Sequence, residues 1–276
     1  MLGIPDNVLP HVRRFGFSGV IAVALVVVMV FGINPITVLT GQVAEPLPYT
    51  PLTALEAIAA GDAGPADMAE AVARETDGFW ARGFRNGASY YPPATFKMVS
   101  ESRDLGCGLA GSDIGTFYCP EDSTIYVDMG AYEALLADFP AQGHLAESYL
   151  IGLAYGHHVQ NAQKLLEERA RQSATLSPAA LSVLEQRMGA QAACYAGAST
   201  KWAGLDKMFG DPVTAAAIAA AMAGAGDVTR APAPAAFALP RDFAAASPAF
   251  TKQWFDAGYA IPSIGTCRLD KIGAPD

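Results

Sequence analysis

The chain has 276 residues, with 18 Lys and Arg against 27 Asp and Glu, and therefore carries a formal net charge of −9. Hydrophobic residues make up 51% of it and charged residues only 16%, which excludes a wholly disordered chain. The acidic balance argues against a nucleic-acid-binding surface, because neutralising phosphates requires clustered Lys and Arg.

The first predicted element is a membrane-spanning helix at residues 15–33, a segment without any charged side chain. At about 1.5 Å per residue such a helix is roughly 28 Å long, close to the ~30 Å hydrocarbon core of a bilayer. Arg13 and Arg14 precede it and the next basic residue is Arg74. The positive-inside rule therefore places residues 1–14 in the cytoplasm and the rest outside. These features favour an uncleaved signal anchor over a cleaved signal peptide.

Residues 34–65 follow the predicted span and are rich in Pro in their first half, which is typical of a stalk or linker. Apolar spacing predicts one short helix in this stretch, at 53–60. The remaining residues, 66–276, are predicted to form the exported domain, and helical spacing places its first helix at 66–85.

The exported domain then changes from strands to helices. Runs of β-branched and aromatic residues predict three strands, at 95–100, 116–119 and 124–128. Apolar spacing and flanking prolines predict helices at 130–138, 145–171, 177–205, 212–224 and 248–259, with an extended crossing at 228–248. Strands followed by a block of helices indicate an α+β fold, here a mostly helical domain with a small β-sheet.

The cysteine count suits an exported chain, because four cysteines can form two disulfides in an oxidising compartment. They are Cys107, Cys119, Cys194 and Cys267. Of the three possible pairings we favour Cys107–Cys119 with Cys194–Cys267, since the first pair closes a short Gly-rich loop at small entropic cost. The alternative is four buried free thiols.

Several sequence blocks stand in a fixed order between about residue 78 and residue 270. They are FWARGF and YYPP (79–84, 90–93), CG (107–108), FYCPEDSTIYVD (117–128), GHHVQ (156–160), QAACYAG (191–197), and the Trp254–Phe255 pair with Cys267. Together they resemble the neutral zinc metallopeptidases, a family of membrane-anchored bacterial proteins with a zincin-like domain. The resemblance implies a zincin-like fold for the exported domain and a single-pass location in a bacterial cytoplasmic membrane.

In that family the first two residues of the GHHVQ block, Gly and His, are the last two residues of a His-Glu-x-Gly-His motif. Its two His residues lie on one helical face and bind zinc, while its Glu is the general base for the metal-bound water. A third ligand, a Glu, stands five residues before the Cys of the second helical block. At the corresponding positions this chain has Leu153 for the first His, Ala154 for the base, His157 for the second His and Gly189 for the third ligand.

These replacements predict a pseudopeptidase with no catalytic residues, no bound metal and no other cofactor. A lone imidazole among Leu, Ala and Gly cannot hold zinc with useful affinity. Loss of the base alone removes a contribution of typically ~10²–10⁴-fold to the rate. The remaining candidates for a rebuilt metal site are His144, Glu147, His157, His158 and Glu185. Their spacing disfavours joint ligation, since His157 lies roughly 15 Å or more along the helix from the first two.

We interpret the chain as a catalytically inactive membrane protein that acts as a binding or accessory subunit of a larger integral membrane protein or complex in the cell envelope. Two alternatives stay open. One is an active metal-dependent hydrolase with a rebuilt ligand set. The other is a cleft that captures an extended peptide or a lipid without chemistry.

Overall fold

The structure is a computed structural model, which describes residues 64–87, 89–100, 107, 115–138, 143–203 and 243–275. The predicted helices at 53–60 and 212–224, and most of the predicted crossing at 228–248, lie outside the described residues. Contacts divide the chain into two compact units. The features that follow belong to the unit made of Pro51–Gly83 and Tyr91–Asp276, except residues 84–86 at the end of the first helix.

Nine described elements follow one another along the chain. They are helix α1 (Pro65–Asn86), strands β1 (Thr95–Val99), β2 (Phe117–Cys119) and β3 (Thr124–Asp128), and helices α2 (Met129–Asp138), α3 (Gly143–Ala162), α4 (Leu165–Ser173), α5 (Pro178–Ala203) and α6 (Pro248–Ala260). This mostly helical arrangement with one small sheet confirms the predicted α+β class. The three predicted strands are all present, within about one residue of their predicted ends.

The sheet has the order β1-β3-β2, so β3 is the central strand. β1 runs parallel to β3, and β2 pairs with it in antiparallel orientation. Every residue of β2 and β3 is buried, whereas most of β1 is exposed or half-buried. A strand buried on both faces explains the run of apolar and β-branched residues in β3.

The helix predicted at 145–171 is two helices in the structure. α3 ends at Ala162 and α4 begins at Leu165, with Lys164 between them at φ 64°, in the left-handed region. An interior helical residue cannot adopt that conformation, so the helix stops and restarts there. Apolar spacing continues through both helices, which is why the pattern alone predicted a single one.

Helices α3, α5 and α6 pack side by side through small residues. Gly152 and Gly156 of α3 lie against Ala196 and Ala192 of α5, and a Cβ on Gly156 would be only 2.7 Å from the Ala192 carbonyl oxygen. The α5–α6 crossing is closer still. A Cβ on Gly197 would overlap the carbonyl oxygen of Phe255.

Gly258 completes the α5–α6 crossing from the other helix. A Cβ there would overlap the carbonyl oxygen of Cys194. The two backbones are therefore in direct contact, with Gly197 and Gly258 as the residues that permit it. We call this pair of glycines and their opposing carbonyls the glycine crossing.

The two predicted disulfides are confirmed. Cys107 is bonded to Cys119, 12 residues further along the chain, and Cys194 to Cys267, 73 residues further. Both cysteines of the second bridge are fully buried, beside the glycine crossing. That bridge therefore ties α5 to the segment that follows α6.

Within the described residues the structure shows no helix that is both long enough and apolar enough to cross a membrane. This finding contradicts the predicted single-pass location in a bacterial cytoplasmic membrane, and that prediction is corrected accordingly. The apolar segment 15–33, from which the membrane helix was predicted, lies outside the described residues.

Candidate functional site

Helix α3 carries three of the four positions at which the family motif places its zinc ligands and base. Leu153 and His157 are four residues apart, so they lie on the same helical face one turn from each other. Leu153 is half-buried and packs against an apolar cluster that includes Tyr149, Ala193 and Phe255. Ala154 is buried at 4% exposure and offers no polar group.

His157 is buried and oriented by a chain of amide groups. Its Nδ1 lies 2.9 Å from Oε1 of Gln160, while the Gln160 amide nitrogen donates to the Met188 carbonyl at 2.8 Å and to Gln191 Oε1 at 2.9 Å. Gln191 in turn donates to the carbonyl oxygen of Cys267 at 2.8 Å. Since Gln160 uses its oxygen as the acceptor, Nδ1 of His157 carries the proton and Nε2 keeps its lone pair.

The burial of His157 lowers the pKa of its imidazole to about 4, an effect only partly opposed by the hydrogen bond to Gln160. The side chain is therefore neutral at physiological pH. A neutral imidazole with an oriented Nδ1–H has the form of a zinc-binding histidine, so this one position keeps ligand character.

Gly189 of α5 is the fourth position of the motif, and the amide chain brings it near His157. The Gln160 amide that holds His157 also binds the carbonyl of Met188, the residue before Gly189. A Cβ on Gly189 would meet no atom within 4 Å. The space that a third ligand would need is therefore open.

A partly buried ion pair lies one turn from Gly189. Glu185 accepts hydrogen bonds from the Arg169 guanidinium of α4 and from the Ala244 amide, the latter at 2.9 Å. The Arg169 guanidinium also lies 5.0 Å from the Phe243 ring centroid, and the Phe243 ring stands edge-on to His157 at 6.3 Å. Arg169 and Phe243 thus occupy the surroundings of the motif positions, and sequence reasoning did not single out either of them.

His158 points away from His157 and has a different set of partners. Its Nε2 donates to the Pro92 carbonyl at 2.7 Å, and its Nδ1 lies 3.1 Å from the hydroxyl of Tyr118, which also accepts from Asn161. Burial lowers the pKa of this imidazole as well. With both ring nitrogens engaged, His158 joins α3 to β2 and to the chain before β1, which is a structural role.

The remaining two candidates, His144 and Glu147, lie near the start of α3. Nδ1 of His144 is 2.6 Å from the Tyr132 hydroxyl, and Glu147 accepts a hydrogen bond from Thr116. Burial raises the pKa of the Glu147 carboxyl to about 7, and the nearby Asp128 carboxylate adds to the rise. In the part of the chain that the structure describes, no three His, Cys, Asp or Glu side chains come together as a metal-binding group.

We expect Glu147 to make the free energy of unfolding depend on pH. A carboxyl whose pKa is about 7 in the folded protein and near its ordinary value of 4.5 in the unfolded chain favours folding when protonated. The free energy of unfolding should therefore fall by up to about 3 kcal/mol between pH 4.5 and 7 through this group. Glu147→Gln should match the wild type at pH 4.5 and exceed it at pH 8, in urea unfolding followed by circular dichroism.

The exposed Glu168→Gln variant is the matched control for this measurement. It removes one carboxylate from the surface, so its effect on unfolding should be small and similar at both pH values. A Glu147→Gln effect that is the same at pH 4.5 and pH 8 would show that folding does not shift the pKa of the Glu147 carboxyl.

Comparison with known proteins gives one family and several relatives. A match to the family described as putative neutral zinc metallopeptidase covers residues 9–269. The uncharacterized protein YpfJ of Escherichia coli K12 is 30% identical over 181 residues, which are 63% of this chain and 60% of YpfJ. The uncharacterized protein Rv2575 of Mycobacterium tuberculosis is 32% identical over 196 residues, 67% of this chain and 64% of Rv2575. The chain thus spans less than two thirds of the length of either relative, and no solved structure matches it.

Proposed function

Because the chain belongs to the neutral zinc metallopeptidase family, we propose that it is a member without peptidase activity, which acts by binding another protein or peptide. The observation that carries this proposal is the set of residues at the motif positions. Leu153, Ala154 and Gly189 stand where the motif needs two zinc ligands and a general base.

The chemistry of these residues supports the loss of catalysis. A catalytic zinc site needs three protein ligands and an open position for water, and here only His157 has a side chain that can coordinate. The methyl group of Ala154 cannot accept the proton of an attacking water. Both the zinc-bound water that acts as the nucleophile and the base that takes its proton would therefore be missing.

The surroundings of His157 support the same conclusion. The nearest carboxylate along α5, Glu185, is neutralised by Arg169 and also accepts the Ala244 amide. A dication near His157 would compete with that guanidinium for the same carboxylate, at a high cost in a buried setting. The Phe243 ring lies in a T-shaped arrangement with the His157 ring, so an apolar group stands beside this imidazole.

The part of the family scaffold that remains supports a binding role. Both disulfides, the glycine crossing and the amide chain from His157 to Cys267 are complete. The packing is intact although the residues at the motif positions are altered. This combination is consistent with a protein that binds its partner through its surface and does not catalyse a reaction at the motif positions. The partner we propose is a protein or an extended peptide.

Zinc binding tests the proposal. The purified wild-type protein should retain no zinc after dialysis, measured by atomic emission, and should show no zinc-dependent heat in calorimetry. The variant that restores the motif, Leu153→His with Ala154→Glu and Gly189→Glu, should retain close to one zinc per chain, because His157 is already oriented and the space beside Gly189 is open.

The opposite result has a clear form. The wild type would instead retain about one zinc per chain and cleave a fluorescent casein substrate, with both properties lost in His157→Ala. The protein would then be an active hydrolase with a rebuilt ligand set. In that case the proposal of inactivity is wrong.

A further inference from the structure

A cavity of about 410 Å³ lies between α1 and β1, with Tyr155 of α3 contributing to its wall. Tyr155 is two residues from both Leu153 and His157, so it leaves α3 on a different face from theirs. This cavity, which we call the α1–β1 cavity, is therefore separate from the motif positions. Its lining consists of Glu70, Ala73, Arg74, Asp77, Ala94, Phe96, Met98 and Tyr155.

The charged wall of the cavity comes from α1. Glu70, Arg74 and Asp77 are spaced four and three residues apart, so they share one helical face. Two carboxylates to one guanidinium leave this wall with a net negative charge. A cavity of this volume with a charged wall is within the range of natural ligand sites and would favour a cation.

Among these three charged residues, Asp77 lies deepest, since it is half-buried whereas Glu70 and Arg74 are exposed. Its carboxylate accepts a hydrogen bond from the Tyr91 hydroxyl at 3.0 Å. Burial raises the pKa of the Asp77 carboxyl, against the opposing effects of Tyr91 and the Ala94 backbone. An ionised carboxylate has lone pairs for about four hydrogen bonds, so Asp77 can accept more from a donor in the cavity.

The opposite wall is apolar. Phe96 and Met98 are two residues apart in β1, and therefore point to the same face of the sheet. Lys97 between them points to the other face, where its ammonium lies 5.6 Å from the Tyr126 ring centroid. The cavity thus combines carboxylates with an aliphatic and aromatic surface, which suits a long side chain that ends in a positive charge.

Among the strands that the structure describes, β1 has a neighbour on only one side. It pairs with β3 and is at the edge of the sheet among the described strands. An edge strand of five residues can pair with an added extended segment through its main-chain groups. Alternate side chains of such a segment would project to the face of Phe96 and Met98, which is the face of the cavity.

We propose that the α1–β1 cavity binds the basic side chain of an extended peptide that pairs with the edge of β1. The Lys or Arg head contacts Asp77 and Glu70, and its aliphatic stem lies on Phe96 and Met98. This inference specifies a ligand for a second site, and it holds whether or not the protein binds zinc.

Peptide titration tests this inference. The probe is the peptide Thr-Val-Lys-Val-Thr-amide with fluorescein in place of an acetyl group on its N-terminal amine, followed by fluorescence anisotropy, and the comparison peptide has Glu in place of Lys. The Lys peptide should bind at least tenfold more tightly than the Glu peptide. Asp77→Asn keeps an acceptor for the Tyr91 hydroxyl but removes the charge, so it should lower the affinity for the Lys peptide at least tenfold. Glu168→Gln should leave that affinity unchanged.

Three results would overturn the inference: no binding of the Lys peptide at millimolar concentration, equal binding of both peptides, or equal binding by wild type and Asp77→Asn. Equal affinity for n-butylammonium and the Lys peptide would overturn the pairing with β1. Mass spectrometry of the peptide after titration keeps the two proposals apart. Cleavage of the peptide, seen by mass spectrometry, would contradict the proposed loss of catalysis. Failure of the intact peptide to bind, seen by anisotropy, would contradict the ligand proposed for the cavity.

Discussion

Replacing either Gly197 or Gly258 by alanine should lower the free energy of unfolding by about 3 kcal/mol or more, at or above the upper end of the usual cost of overpacking a core. The methyl group added at position 197 would overlap the Phe255 carbonyl oxygen, and the one added at position 258 would overlap the Cys194 carbonyl oxygen. Backbone atoms cannot rotate away as a side chain can, so α5 and α6 would have to separate. Urea unfolding of each variant measures the loss.

Gly189→Ala is the matched control, because it makes the same chemical change in the same helix. No atom lies within 4 Å of the Cβ that it adds, and alanine is a better helix former than glycine. This variant should therefore be more stable than the wild type by about 0.5–1 kcal/mol. If Gly197→Ala and Gly189→Ala gave similar stabilities, the close crossing of α5 and α6 would be contradicted.

Removing the Cys194–Cys267 bridge, by changing both cysteines to alanine, should cost about 4 kcal/mol. The bridge spans 73 residues, so it removes more entropy from the unfolded chain than a short loop does. Removing Cys107–Cys119, which spans 12 residues, should cost about 3 kcal/mol. The measurement is guanidinium unfolding of both double variants under non-reducing conditions.

The difference between these two variants is the informative quantity. Both lose one bridge and gain two alanines, so the short bridge serves as the control for the long one. A larger loss from Cys107–Cys119 than from Cys194–Cys267 would show that loop length does not govern the contribution of these bridges.

Much of the fold of the described residues could be predicted from sequence, because its signals are local. Pro178 at the start of α5 and Pro248 at the start of α6 mark helix beginnings that the structure places at those residues. The cysteine pairing followed from loop length and count. The break at Lys164 could not be predicted, since a single residue with positive φ leaves the apolar spacing on both sides unchanged.

The surroundings of the motif positions could be predicted only in part. Leu153, Ala154 and Gly189 were identified from the order of the sequence blocks, and the retained ligand character of His157 follows from the same motif. Arg169 and Phe243 were missed, since they reach the centre from other parts of the chain and carry no motif. The small residues of QAACYAG and GHHVQ are a signal for close helix packing that could have indicated the crossings.

The glycine crossing also has a consequence for how the protein is made. The face of α5 that carries Gly197 is covered by Phe255 and Gly258, which are synthesised roughly sixty residues later. A nascent chain that has not yet reached residue 248 exposes that face, and the thiol of Cys194 has no native partner until Cys267 emerges. The local Cys107–Cys119 loop can close during synthesis, whereas the core around α5 cannot form until the residues of α6 and Cys267 have been made. Oxidation of the thiols before Cys267 emerges therefore favours mispaired bridges.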